Sequence, residues 1–121
     1  SIWCDLVRIK QVLNNLLSNA VKYSLEGGLI RLVSQLVGDE LWISVQDQGM
    51  GISSREQINI FERFQQLESG YSRRAGGLGI GLSLSRKLID LHGGRIWVES
   101  EKGGGSKFIF SLPLDSGDKE P

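Results

Sequence analysis

Asp5-Leu6-Val7-Arg8-Ile9-Lys10-Gln11-Val12-Leu13-Asn14-Asn15-Leu16-Leu17-Ser18-Asn19-Ala20-Val21-Lys22-Tyr23 is the stretch from which the fold of this 121-residue chain can be read. Its apolar residues Leu6, Ile9, Val12, Leu13, Leu16, Leu17, Ala20 and Val21 recur at three and four, the period of a helix with one buried stripe. Asp5 stands where a carboxylate caps the first free amides, and the helix is expected to stop near Ser24. Asn15, Asn19, Lys22 and Tyr23 follow one another at intervals of four, three and one. Their side chains therefore crowd one side of the rod, beside the stripe. An amide oxygen is a hard ligand of the kind Mg²⁺ accepts, and an ammonium neutralises phosphate oxygens. Standing alone, the same four residues would read as a solvated helix face.

Outward from this helix, Gly27-Gly28 lead into a strand-like run, Leu29 to Leu36, and Gly38-Asp39 reads as a turn. Leu41, Ile43 and Val45 then alternate with Trp42, Ser44 and Gln46 as far as Asp47, the pattern of a strand with one buried face. The two strands make an antiparallel hairpin. Glu56 to Gln65 predicts a short helix, and Leu67 to Gly77 a mobile loop. Helical spacing returns from Gly79 to Leu91, with Gly93 as the closing glycine. Arg95 to Ser100 and Lys107 to Leu112 read as two further strands joined by a Gly-rich turn. The element order implies an α+β fold, a two-layer α/β sandwich with a mixed, mostly antiparallel sheet and helices on one face. Residues 1–114 form the expected domain, and 115–121 a polar tail.

Fourteen basic and fourteen acidic side chains cancel, so no global field draws the chain to nucleic acid or anionic lipid. No apolar run approaches the ~20 residues of a membrane span, and direct membrane contact is not expected. Cys4 has no partner cysteine and reads as a small buried hydrophobe in a reducing, cytoplasmic setting.

Sixteen glycines mark backbone that turns or approaches something closely. Gly93-Gly94 and Gly103-Gly104-Gly105 read as ordinary turns. Asp47-Gln48-Gly49-Met50-Gly51 differs, because it places a carboxylate at the end of a buried strand before backbone that can fold around a ligand. An ionised Asp there accepts hydrogen bonds, for example from a purine amino group. Gly76-Gly77-Leu78-Gly79-Ile80-Gly81-Leu82 runs directly into a helix, so free N–H groups and the helix dipole favour phosphate. The spacing is neither a Walker A loop nor a GxGxxG dinucleotide turn.

These pieces, in this order, resemble the boxes of the histidine-kinase catalytic domain. Asp5 to Ser24 resembles the N box, Asp47 to Gly51 the G1 box, Ile60-Phe61-Glu62-Arg63-Phe64 the F box and Gly77 to Gly81 the G2 box. Leu91-His92-Gly93-Gly94 and Gly103-Gly104-Gly105-Ser106 resemble the closing segments, so the likeness runs from Asp5 to Leu114. It implies the Bergerat fold, with ATP held under a lid of roughly residues 52 to 78. By position it implies that Asn19, assisted by Asn15, holds Mg²⁺, that Lys22 reaches phosphate and that Tyr23 lies against the nucleotide. Asp47 is implied to bind the adenine amino group, with Gly49 and Gly51 making room for the base. Gly77, Gly79, Gly81 and Leu82 are placed at the phosphates, and Arg63 at the γ-phosphate when the lid closes. Arg73 and Arg74 are weaker lid candidates.

In the related ATPases of the fold a glutamate stands at the position of Asn15 and activates water. An amide is a poor general base, so the resemblance points to phosphoryl transfer onto a better nucleophile. His92, at a helix end, is not expected to be that nucleophile. The acceptor is implied on a separate helical dimerisation domain of the same kinase, and a response-regulator receiver domain downstream. A serine kinase of the anti-sigma type and a degenerate nucleotide-sensing scaffold are the alternatives.

Overall fold

The computed structural model describes residues 4–23, 28–52, 57, 60, 61, 78–100 and 103–114. Most of the helix expected at Glu56 to Gln65, the loop expected at Leu67 to Gly77, and the tail 115–121 lie outside the described residues. Along the chain run α1 (Leu6–Tyr23), β1 (Arg31–Val37), β2 (Glu40–Asp47), α2 (Leu78–Leu91), β3 (Arg95–Ser100) and β4 (Ser106–Pro113). The strands form one sheet in the order β1-β2-β4-β3. The sheet was expected to be mostly antiparallel, and among the described residues β1, β2, β3 and β4 pair only in that sense.

α1 starts where its cap dictates, because Asp5 Oδ1 accepts the N–H groups of Val7 (3.1 Å) and Arg8 (3.3 Å), two of the amides a helix start leaves without partners. Its stripe of Ile9, Val12, Leu16 and Ala20 is buried with Leu82, Leu88 and Ile89 of α2 against Val45, Phe108, Phe110 and Leu112 of the sheet. Burial of Val12 and Leu16 contributes about 1.5–3 kcal/mol each. The stripe is narrower than its periodicity suggests. Leu6 and Val21 are 61% and 67% exposed, since both lie on its flank near the helix ends. Cys4 is exposed rather than buried, because it precedes the cap and lies outside the stripe.

The far face of the sheet carries its own layer. Trp42 and Trp97 meet edge to face at 4.8 Å, over a β4 whose Ile109 and Ser111 are buried on that side. Arg95 stacks 5.0 Å from the Trp97 ring and bonds Glu40 at 3.1 Å. β4 is thus buried on both faces, and the sheet is pinned at its centre.

α2 closes on Gly93, with φ +75°. Gly93 N–H bonds Asp90 O and Gly94 N–H bonds Ile89 O, each at 3.0 Å, the paired closure that favours glycine in the left-handed region. His92 sits in this turn, with Nδ1 2.7 Å from Leu88 O and Nε2 2.9 Å from the Asp5 backbone nitrogen. A backbone N–H can only donate, so Nε2 is the acceptor and Nδ1–H donates to Leu88. The imidazole therefore fastens the end of α2 to the start of α1. His92→Ala is expected to cost about 1 kcal/mol, read as a fall of several degrees in Tm, with nucleotide affinity unchanged.

Candidate functional site

With Asp5 tied to His92 and Asn15 Nδ2 donating to Ser85 Oγ at 3.2 Å, α1 and α2 run antiparallel side by side. The same register carries Asn19, one turn further along α1, level with the first turn of α2, where Gly79 and Gly81 lie. Asn19 is only 7% exposed, and its amide has no hydrogen-bond partner among the described residues. Buried polar groups are nearly always paired, so an amide left this way beside a helix start fits a ligand supplied from outside. An oxygen donor of this kind suits Mg²⁺ or a hydrated phosphate, and the free N–H groups of the α2 start suit an anion. Leu82 is different, because its side chain is fully buried in the core and only its backbone can face a ligand.

At the end of β2, Asp47 is 4% exposed, and its Oδ1 accepts the Gly49 N–H at 2.8 Å. Burial pushes the Asp47 carboxyl above its ordinary pKa, opposed by the backbone N–H groups of Gly49 and Ser106. Two donors hold the carboxylate while it keeps capacity for a third. Gly49 and Gly51 are both buried in the turn that follows. Gly51 adopts φ +72°, a conformation that a side chain would strain.

Comparison with known proteins decides what this geometry belongs to. The family model for histidine kinase-, DNA gyrase B-, and HSP90-like ATPases matches residues 4–116. The chain belongs to this family. Sensor histidine kinase WalK of Bacillus subtilis is 40% identical over 111 residues, covering 90% of this chain and 18% of WalK. The solved catalytic domain of histidine kinase ThkA superposes with a TM-score of 0.76 at 36% identity, over 93% of this chain and 69% of that one. Full-length ShkA in complex with AMPPNP superposes with a TM-score of 0.79 at 33% identity, over 93% of this chain and 22% of ShkA. The chain is therefore an ATP-binding catalytic domain of the sensor histidine kinase kind, and it spans less than a fifth of WalK's length.

In this catalytic domain the N-box asparagines, the G1 aspartate and the G2 helix start occupy described positions. Lys22 and Tyr23 close α1, but their side chains lie outside the described residues, as do Gly77, Arg63, Arg73 and Arg74. Phe61 of the F box is described, and its ring meets Phe108 edge to face at 6.2 Å. Sequence reasoning missed the part played by the β3–β4 turn. A Cβ on Gly105, which has φ +80°, would overlap the carbonyl oxygen of Asp47, so this glycine lets the β3–β4 turn lie against the G1 turn. Gly103 N–H also bonds Met50 O. The signal was present in the closing segment Gly103 to Ser106, but a glycine run reads first as a turn.

Proposed function

We propose that the domain transfers the γ-phosphoryl group of ATP to a histidine on a helical dimerisation domain of its parent kinase. The observation that carries this reading is the buried Asn19 amide, without a hydrogen-bond partner among the described residues, level with the glycine-led start of α2. Asn19 and Asn15 would hold Mg²⁺, which would supply positive charge against the phosphates. Asp47 receives the adenine amino group, and Gly49 and Gly51 leave space for the ring. Gly77, Gly79 and Gly81 bring backbone N–H groups to the phosphates, with Lys22 and Arg63 adding positive charge and Tyr23 lying against the nucleotide. Asn15 is tied to Ser85 and, as an amide, does not serve as a general base, so bound nucleotide persists until an imidazole is presented in line.

The sensor histidine kinases among its relatives favour this reading over a serine kinase of the anti-sigma type. A receiver domain is the downstream acceptor, and the domain of residues 1–114 works on the cytoplasmic side. Titration with AMPPNP, with and without Mg²⁺, tests the site; incubation with ATP and the parent's helical domain tests the transfer. Asn19→Ala is expected to lower the Mg²⁺-dependent gain in affinity about threefold to tenfold, the range of one lost hydrogen bond. Arg63→Ala is expected to bind normally and transfer slowly. Wild-type protein that binds AMPPNP but labels no helical domain would rule out the kinase role while leaving the nucleotide site standing.

A further inference from the structure

We propose that Ser100 is a positioning residue of the nucleotide site, which together with Gln57 holds the turn from Asp47 to Ile52 in the shape that receives the base. The inference rests on the nucleotide reading above. Ser100 closes β3, and its Oγ lies 2.8 Å from Ile52 N, 2.7 Å from Gly105 O and 3.1 Å from Ser106 Oγ. A hydroxyl has one proton and two lone pairs. The Gly105 carbonyl can only accept, so the Ser100 proton goes there. The Ile52 N–H can only donate, so it takes one lone pair, and the Ser106 hydroxyl donates to the other. Every capacity of Ser100 Oγ is used, and each partner's role is assigned.

Gln57 completes the grip. Its Nε2 donates to Ile52 O and to Ser100 O, both at 2.7 Å. Ile52 is thereby held at its N–H by Ser100 and at its carbonyl by Gln57, while Met50 O accepts the Gly103 N–H. The turn so held contains Gly49 and Gly51, the residues with the most backbone freedom to lose on binding. Fixing that freedom before the ligand arrives raises affinity by preorganisation. Ser100 reaches both ends of the turn at once, because the Gly105 that accepts its proton packs against the backbone of Asp47. Neither Ser100 nor Gln57 is assigned a contact with nucleotide; both act through the turn.

The test is calorimetric titration of AMPPNP with Mg²⁺ into the 121-residue chain and its variants. Ser100→Ala is expected to raise Kd about tenfold, equivalent to about 1.4 kcal/mol, whereas Ser100→Thr, which keeps the hydroxyl, recovers most of the affinity. Ile96→Val, elsewhere on β3, serves as a control that lowers Tm with Kd unchanged. Should Ser100→Ala fail to fold, Gln57→Ala carries the same test with an expected threefold loss. Wild-type affinity in Ser100→Ala, or in Gln57→Ala where that variant is used, overturns the positioning role. So does an equal loss in Ile96→Val at the same fall in Tm. Failure of the wild-type chain to bind AMPPNP overturns the nucleotide reading itself, which separates the two.

Discussion

Asp47→Asn is expected to raise the Kd for AMPPNP about 10- to 100-fold at neutral pH without lowering the Tm of the unliganded domain. The carboxylate is buried, and two backbone donors, from Gly49 and Ser106, already aim at it. An adenine amino group would be a third donor, and a hydrogen bond to a charged acceptor contributes about 1.5–3 kcal/mol. An amide offers one oxygen where the carboxylate offers two, and its NH₂ would face a donor. Stability runs the other way. Burial raises the folded pKa of Asp47 above its unfolded value, so its ionisation weighs against folding at neutral pH. That penalty is relieved as pH falls through the folded pKa. Asparagine removes the penalty at neutral pH, which is why Tm holds. The same sign governs binding: acidification should erode the ratio of wild-type to Asp47→Asn affinity above the usual carboxylate range, where Asp47 begins to take up its proton. Taking the ratio cancels the titration of the nucleotide's own phosphates. Equal affinities across pH would remove Asp47 from the site.

The helices and hairpins were legible because their signals are local. Asp5 and the three-and-four spacing define α1, the alternation of Leu41 to Gln46 defines β2, and Gly38-Asp39 closes the first hairpin. The pairing of β2 with β4 was not legible, since it joins residues 59 to 73 positions apart, from Asp47↔Ser106 to Glu40↔Pro113, and no turn residue announces it. Exposure at the ends of the stripe was equally hidden, because periodicity states which way Leu6 and Val21 point and not how far the facing layer extends. The sequence likewise suggested a buried Cys4 from residue type alone, where position before the cap decides.

In the candidate site, residue types and order were enough to nominate Asn15, Asn19, Asp47 and the glycines that follow it. What the sequence could not show is the register that sets Asn19 level with Gly81, which the contacts of His92 with Asp5 and of Asn15 with Ser85 mark. Nor could it show that Gly94 and Gly105 are close-approach positions as well as turn residues. Composition reports that glycine is present; only the neighbouring backbone reports whether its missing Cβ is needed for conformation or for space.

Gly94→Ala separates these two uses, and it is expected to destabilise the domain by about 3 kcal/mol or more, lowering Tm by roughly 10 °C. Gly94 has no positive φ, so conformation alone would tolerate alanine. Space does not. The added Cβ would overlap the carbonyl oxygen of Ser111 and lie 3.0 Å from its carbonyl carbon and 3.1 Å from Ile89 Cγ2. None of these atoms can withdraw cheaply, because Ser111 and Ile89 are fully buried and Ser111 Oγ accepts the Arg95 N–H at 3.1 Å. Gly38→Ala provides the opposite case, with φ +59° and nothing within 4 Å of the added carbon. It should cost only the strain of the left-handed conformation, about 1 kcal/mol. Urea denaturation of the two variants against the parent gives the comparison, and a larger loss at Gly38 would mean that backbone conformation, not close packing, governs these glycines. If Gly94 proves the costlier site, the reason bears on function as well as stability. The contact it permits seats the end of α2 on β4, and the far end of that same helix carries Gly79 and Gly81 level with Asn19.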